Sequence, residues 1–387
     1  MDVHDNAAAS GFAQLAEESI RIVRKWRSAT DVAAPAPETR LAGMVGTPGG
    51  AAFAIDLVDG VLRPQDARVV ARHLERLSHE VPDGIGWGTE FDTHVSAGLA
   101  SLAAGVTVPR VRERFFRLFS HLLLRLDVRG LDEHLAELTS GGGIRPALVS
   151  VATAASGQHE ANRQAADVRD LLLRDDVESV SFRISAMVGS WRLIDLDGLV
   201  NDAVDRTTSL FEIAAHAENP KFIDLEVARF DELEPTLRVF ERMLHDFPQL
   251  NLGIALPDAF PDSLPALRRV AEMARKRRIR RGAMATVRIT RGEFLLEERS
   301  VAEQHGWSSA VFASTAERDA HHIRLLDFAL HPAQTAALRV ISATHDLYLT
   351  AFAWRLARAR GVERSLEHEF RLGIATSDVE VVKRDVG

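Results

Sequence analysis

The sequence predicts an α/β fold, a (β/α)8 TIM-like barrel preceded by an all-helical N-terminal region, on three observations. After Gly143, short β-branched runs alternate with amphipathic helical stretches. Such alternation calls for a parallel sheet covered by helices. The runs number eight within roughly 240 residues, the count of a closed barrel. Before them, about a hundred residues read as almost wholly helical. A doubly wound open sheet is the competing arrangement on pattern alone.

Gly11–Ser28 has helical periodicity, with Phe12, Leu15, Ile20, Ile22 and Trp26 set among Glu and Arg. Asp31-Val-Ala-Ala-Pro-Ala-Pro is a break. Arg63-Pro and Val108-Pro each open a helix with proline in the first turn. Ser140-Gly-Gly-Gly then punctuates the chain. The predicted strands are Leu148–Ala152, Ser179–Ser185, Phe222–Glu226, Leu252–Leu256, Ala285–Thr290, Ala310–Ala313, Leu338–Ala343 and Leu366–Leu372. Helical sequence fills the intervals, for example Leu233–Asp246, Leu264–Arg278 and Ala316–Ala329. This divides the chain into an N-terminal helix and linker (1–39), a helical arm (40–143) and the barrel (144–387).

Composition narrows the function classes. Hydrophobic residues make up 46% and charged residues 26%, as in ordinary globular proteins. A net charge of −8 argues against nonspecific nucleic-acid binding. With no cysteine, disulfides, thiolate nucleophiles and cysteine-ligated metals are excluded. No run approaches the ~20 apolar residues of a membrane span. The acidic N-terminus lacks the basic and apolar segments of a secretory signal, and a cytoplasmic location is the expectation.

Several motifs are missing or bland. No Gly-x-Gly-x-x-Gly follows a strand, and there is neither a P-loop lysine nor a His-Glu-x-x-His. His321-His322 is not a metal pair, since adjacent helical residues diverge; nearly all of the fifteen histidines read as solvated or capping. Arg275-Lys-Arg-Arg-Ile-Arg-Arg reads as a solvated helix terminus, where cations suit the helix dipole.

Val287–Trp307, VRITRGEFLLEERSVAEQHGW, is the informative block: an arginine within a strand, Arg-Gly at its end, then a Glu-rich helix and Gly-Trp. Together with Ser181-Phe-Arg-Ile-Ser, Phe222-Ile-Asp-Leu-Glu, Leu252-Gly-Ile-Ala-Leu-Pro-Asp and Ala343-Thr-His-Asp, it resembles the barrel of proline dehydrogenases. The likeness is greatest to the dehydrogenase half of bifunctional proline utilization A enzymes. The resemblance implies FAD at the C-terminal mouth of the barrel, oxidation of L-proline or a similar imino acid to 1-pyrroline-5-carboxylate, and electron transfer to a quinone. An aldehyde dehydrogenase (glutamate semialdehyde) module, a C-terminal continuation or a second copy of the chain are the implied partners.

By resemblance, Arg288 reaches the flavin's reactive edge, Arg291 and Gly292 lie against the cofactor, and Thr344, His345 and Glu369 lie near FAD. Arg183 and Glu226 stand where the family pairs a lysine with an aspartate, the catalytic positions. Other positions depart. Ala152-Thr153 replaces Gly-Glu, Ala228 replaces a glutamate, and Ala259 replaces an aromatic. Pro257 replaces a glutamine and can donate nothing. Arg183 is a planar fork where lysine is a point charge. Glu293 brings a carboxylate beside a group that must accept negative charge. The family's Arg-Arg pair, which clamps the substrate carboxylate, belongs to the helix after the last strand. The sequence reaches Gly387 before it, so the barrel is expected to lack its final helix. Three readings stay open: an active flavoenzyme, a pseudoenzyme barrel kept for structure or docking, and a flavoprotein acting on another small amine.

Overall fold

Parallel strands joined by helices form the larger part of the computed structural model, which describes residues 3–30, 43–44, 46–62, 67–82, 108–113, 131–140, 144–150, 154–292 and 295–386. The chain divides into two compact units. One comprises Met1–Ala29, Arg129–Phe370 and Asp385–Gly387, and the other Thr30–Val128 and Arg371–Arg384.

The first unit holds a seven-stranded parallel sheet in sequential order: β1 (Ala147–Val149), β2 (Ser179–Arg183), β3 (Phe222–Glu226), β4 (Asn251–Pro257), β5 (Ala285–Thr290), β6 (Leu338–Ala343) and β7 (Leu366–Glu369). It curls as a half-barrel, correcting the expectation of a closed eight-stranded one. Of the expected strands, Ala310–Ala313 does not form. β5 pairs directly with β6 from Ala285↔Leu338 to Thr290↔Ala343, so no slot lies between them. That segment instead meets the end of β4, where Phe312 N donates to Ala259 O at 3.1 Å.

Among the described residues β1 and β7 share no ladder. Arg145, just before β1, reaches Glu367 on β7 at 2.5 Å. β7 is followed by a helix, Thr376–Val386, so helical structure does follow the last strand.

Alternation sorts the strand residues to two faces. Val180, Phe182, Ile223, Leu225, Leu252, Ile254, Leu256, Val287, Ile289 and Val340 belong to the core shared with the covering helices. The opposite parity carries Ser181, Arg183, Asp224, Glu226, Gly253, Ala255, Thr286, Arg288, Glu367 and Glu369. Barrel interiors usually hold bulky branched residues; this inner face is small and charged.

The N-terminal helix, Val3–Ala29, packs on the Leu347–Arg360 helix. Phe12 stacks on Phe352 at 6.1 Å, and Arg355 bonds Glu18 through Nε at 2.8 Å. Its last turn meets the other chain end, where Asp385 accepts from Lys25 Nζ and Trp26 Nε1, each at 2.8 Å.

At the N-terminal ends of the strands, the basic run is a solvated helix terminus as expected except at Arg277. Arg277 is only 4% exposed, whereas its basic neighbours are exposed. Its guanidinium donates to the carbonyls of Pro248 (3.1 Å), Phe247 (3.0 Å) and Leu250 (2.6 Å). Desolvation without a carboxylate partner lowers its pKa to about 10.

The second unit has its own core of Met44, Phe53, Leu57, Val61, Val70, Leu74, Leu77 and Val108. Its helices include Gly50–Leu57 and Ala67–Ser78. No helix among the described residues is long and apolar enough to cross a membrane.

Candidate active site

The charged inner face converges on Arg288. Placed mid-β5, its side chain crosses to strands two places away on either side. Nε donates to Asp224 Oδ2 at 2.8 Å, Nη1 to Glu369 Oε1 at 2.7 Å, and Nη2 to Glu226 Oε1. Arg288 as a whole is 5% exposed. Burial opposes its charge, yet the three carboxylates hold it protonated well above the usual range.

Asp224 escaped the sequence reading, although it shares the parity of Glu226 in Phe222-Ile-Asp-Leu-Glu. It is fully buried, and its Oδ1 has no hydrogen-bond partner. Burial pushes its carboxyl up to about 7; Arg288 pulls the other way, and Glu226 and Glu369 add to the rise. Gly253 on β4 makes room for it, because a Cβ there would stand 2.6 Å from Oδ1 and 2.7 Å from the Phe222 ring.

The sequence leaves open whether Glu226 pairs with Arg183 or with Arg291; its carboxylate meets Arg288 instead. The β2–β3 register sets the Cα atoms of Arg183 and Glu226 side by side, but Glu226 is drawn to Arg288. The carboxylate near Arg183 is Glu232, at 3.8 Å. Glu232 is itself buried and accepts from Ser185 Oγ (2.5 Å), Ala228 N (2.9 Å) and Arg229 N (3.1 Å). Arg183 and Glu232 thus form a neighbouring buried pair that fixes the turn after β3.

A second hub forms where β4 and β5 end. Asp258, wholly buried, takes Arg291 Nη1 on Oδ2 at 2.9 Å and Gly292 N on Oδ1 at 3.2 Å. Arg291 also lies 2.7 Å from Asp319. A Cβ on Gly292 would fall 2.3 Å from that of Ala259, so this glycine is required by the apposition of two chain turns. His321 and His322 belong to the same hub and are exceptions to the general reading of the histidines as solvated or capping groups. They are 2% and 0% exposed; Nδ1 of His321 bonds Asp258 O and Nδ1 of His322 bonds Asp258 Oδ2, both at 3.0 Å. Burial lowers the His321 pKa.

After β6, the Thr344 hydroxyl accepts from Asp346 N at 3.0 Å, and Asp346 caps the Leu347–Arg360 helix. Thr344 therefore serves a helix start. His345 is half-buried, its ring 5.6 Å from Phe370. Phe370 also stacks on His368, whose burial pushes its imidazole down to about 4. The structure thus gathers Arg288, Glu226 and Glu369 into one cluster, puts Arg291 and Gly292 in a second, and places Thr344 at the start of the Leu347–Arg360 helix and His345 against Phe370. Ala152, Thr153 and Glu293 lie outside the described residues.

A curled parallel sheet with charged groups at strand ends is an arrangement of barrel enzymes, and comparison with known proteins gives the family. The proline dehydrogenase family matches residues 135–385. Proline utilization A from Corynebacterium freiburgense is 32% identical over 72% of this chain and 29% of its own, with a TM-score of 0.67. Proline utilization A from Bdellovibrio bacteriovorus, inactivated by N-propargylglycine, superposes with a TM-score of 0.72 at 16% identity over 97% of this chain and 39% of its own. A Bradyrhizobium japonicum proline utilization A variant gives 0.67 at 17% identity over 97% and 40%. No curated protein matches. The chain belongs to the proline dehydrogenase family. It spans 29–40% of the length of these proline utilization A chains.

The family is FAD-dependent, which sets a demand on this site: an anionic cofactor needs cations or donors to spare. Among the described residues the arginines of the site have acidic neighbours: Arg288 three, Arg291 two, Arg183 at least Glu232, and Arg318 the carboxylate of Asp258 at 3.9 Å. Carboxylates outnumber the guanidinium groups, and Pro257 adds no donor. In this arrangement the residues do not fit a flavin that must gain negative charge.

Proposed function

We propose that this chain is the proline dehydrogenase-family barrel of a proline-catabolic protein in which FAD-dependent oxidation of L-proline to 1-pyrroline-5-carboxylate is impaired or lost. The enclosure of Arg288 by Asp224, Glu226 and Glu369 carries this reading. The position that resemblance gives to a flavin-stabilising cation is taken up by internal carboxylates. The substrate carboxylate would likewise find Arg183 and Arg291 committed. In this role the barrel serves as a structural or docking partner for an aldehyde dehydrogenase module in the cytoplasm. The surplus of carboxylates favours a second reading, in which the site accepts a small cationic amine lacking a carboxylate.

The test is the visible spectrum of the purified protein, with any natural continuation of the chain, before and after incubation with FAD. L-Proline and a quinone-type acceptor are then added. The expected result is no retained flavin, or flavin that proline leaves oxidised. Bleaching by proline with turnover would overturn the proposal. Bleaching by another cyclic amine alone would establish the second reading.

A further inference from the structure

We infer that Asp258 is an internal ligand: its carboxylate fills a carboxylate-binding place built by Arg291, Gly292, His322 and Arg318. Each oxygen has two such neighbours. Oδ2 meets Arg291 Nη1 at 2.9 Å and His322 Nδ1 at 3.0 Å. Oδ1 meets Gly292 N at 3.2 Å, with Arg318 Nε at 3.9 Å. Two guanidinium groups, a backbone N–H and an imidazole N–H surround one carboxylate, the donor set that recognises a carboxylate ligand.

Three further features distinguish this from a routine buried ion pair. The place lies at the C-terminal ends of β4 and β5, the side of a parallel sheet where ligands bind. Arg318 Nε is buried with no hydrogen-bond partner, so one cation is aimed at Asp258 without a bond of its own. The place also reaches toward solvent: Asp258 is fully buried, while the Arg291 side chain that it binds is 22% exposed and meets Asp319, 37% exposed, on its other side. The Asp258 backbone is held independently, its N donating to Thr290 O at 2.8 Å and its O bonded to His321. Removing the carboxylate therefore leaves the frame in place. The inference holds whether or not a flavin binds elsewhere on the inner face. Its consequence is that an external carboxylate is kept from Arg291 and Gly292 by the chain's own.

The test is anion rescue of Asp258→Ala, with folding checked by circular dichroism. Formate is the probe, chloride at equal ionic strength the control, and L-proline the arm that asks whether a larger carboxylate enters. Formate is expected to raise the Tm of Asp258→Ala by about 2 °C at roughly tenfold excess over its Kd. It should leave the parent unchanged and lose its effect in Asp258→Ala/Arg291→Gln. Stabilisation by formate alone means a place sealed to all but the smallest carboxylates; stabilisation by both means an open carboxylate site. If Asp258→Ala is unfolded, the same comparison is made on refolding yield, where recovery with formate but not chloride supports the inference. No difference between formate and chloride in either assay overturns it.

Discussion

Arg288 Nη1 on β5 donates to Glu369 Oε1 on β7 at 2.7 Å, reaching past β6, while its other nitrogens hold Asp224 and Glu226 on β3. One side chain thus fastens strands that no backbone ladder joins. Replacing it strands three carboxylates on a largely buried face. Arg288→Met is expected to lose about 3–5 kcal/mol of stability, the usual cost of breaking a buried ion pair by removing one partner. Arg288→Lys should recover only part, because an ammonium cannot span three acceptors. Urea denaturation measures both, and an Arg288→Met protein as stable as the parent would contradict the cage.

Asp224 gives the protein a pH dependence whose sign is fixed. Its folded pKa, raised by burial to about 7 from 3.8, means the folded state holds a proton that the unfolded chain has lost between those values. The stability it contributes is fully present below about pH 4 and is lost as pH rises through about 7. Asp224→Asn, which cannot ionise, should flatten that part of the profile of stability against pH. An unchanged slope in the variant would show that Asp224 titrates normally.

Gly253 and Asp224 should behave as one unit. Gly253→Ala places a methyl within 2.6 Å of Asp224 Oδ1 and 2.7 Å of Phe222. Overpacking of this kind costs about 1–3 kcal/mol. In the Gly253→Ala/Asp224→Ala double variant the losses should fall short of additive, as expected for residues in contact. A thermodynamic cycle from thermal melts decides it.

At the opposite end of the strands, Arg277→Met is expected to destabilise by roughly 3 kcal/mol, since it leaves buried carbonyls of Phe247, Pro248 and Leu250 without their charged donor. Hydrogen exchange should quicken first in residues 247–250 and 282–284. Protection unchanged there would rule out the role of Arg277 as a peg for these turns.

Much of the first unit could be read in advance because its strands are apolar runs buried against helices. Phe222–Glu226, Ala285–Thr290 and Leu338–Ala343 form as expected, and Leu233–Asp246 is a helix end to end. Ala310–Ala313 misled because its composition suits a strand, whereas strand membership needs a free neighbour, and the β5–β6 ladder removes it. Arg288, Glu226 and Glu369 were found from the resemblance, but their mutual contact was not, since it depends on how far the sheet curls. Asp258 and His322 lie 64 positions apart. Nothing local in either segment announces that pair; it exists because the end of β4 and the Thr315–Ala329 helix are packed together. Arg277 hid among five basic neighbours whose exposure it does not share.

The contact between Arg145 and Glu367 gives the two edges of the half-barrel a mechanical property. Elsewhere around the sheet, a change in girth would break a row of backbone hydrogen bonds. Here it asks only that two long side chains, 63% and 41% exposed, let go, and an exposed pair of this kind is worth about 0–1 kcal/mol. Six backbone ladders hold β1 to β7, whereas the two edges of the half-barrel meet at this exposed pair. A curled sheet that opens by parting Arg145 from Glu367 keeps the β1-to-β7 ladders intact.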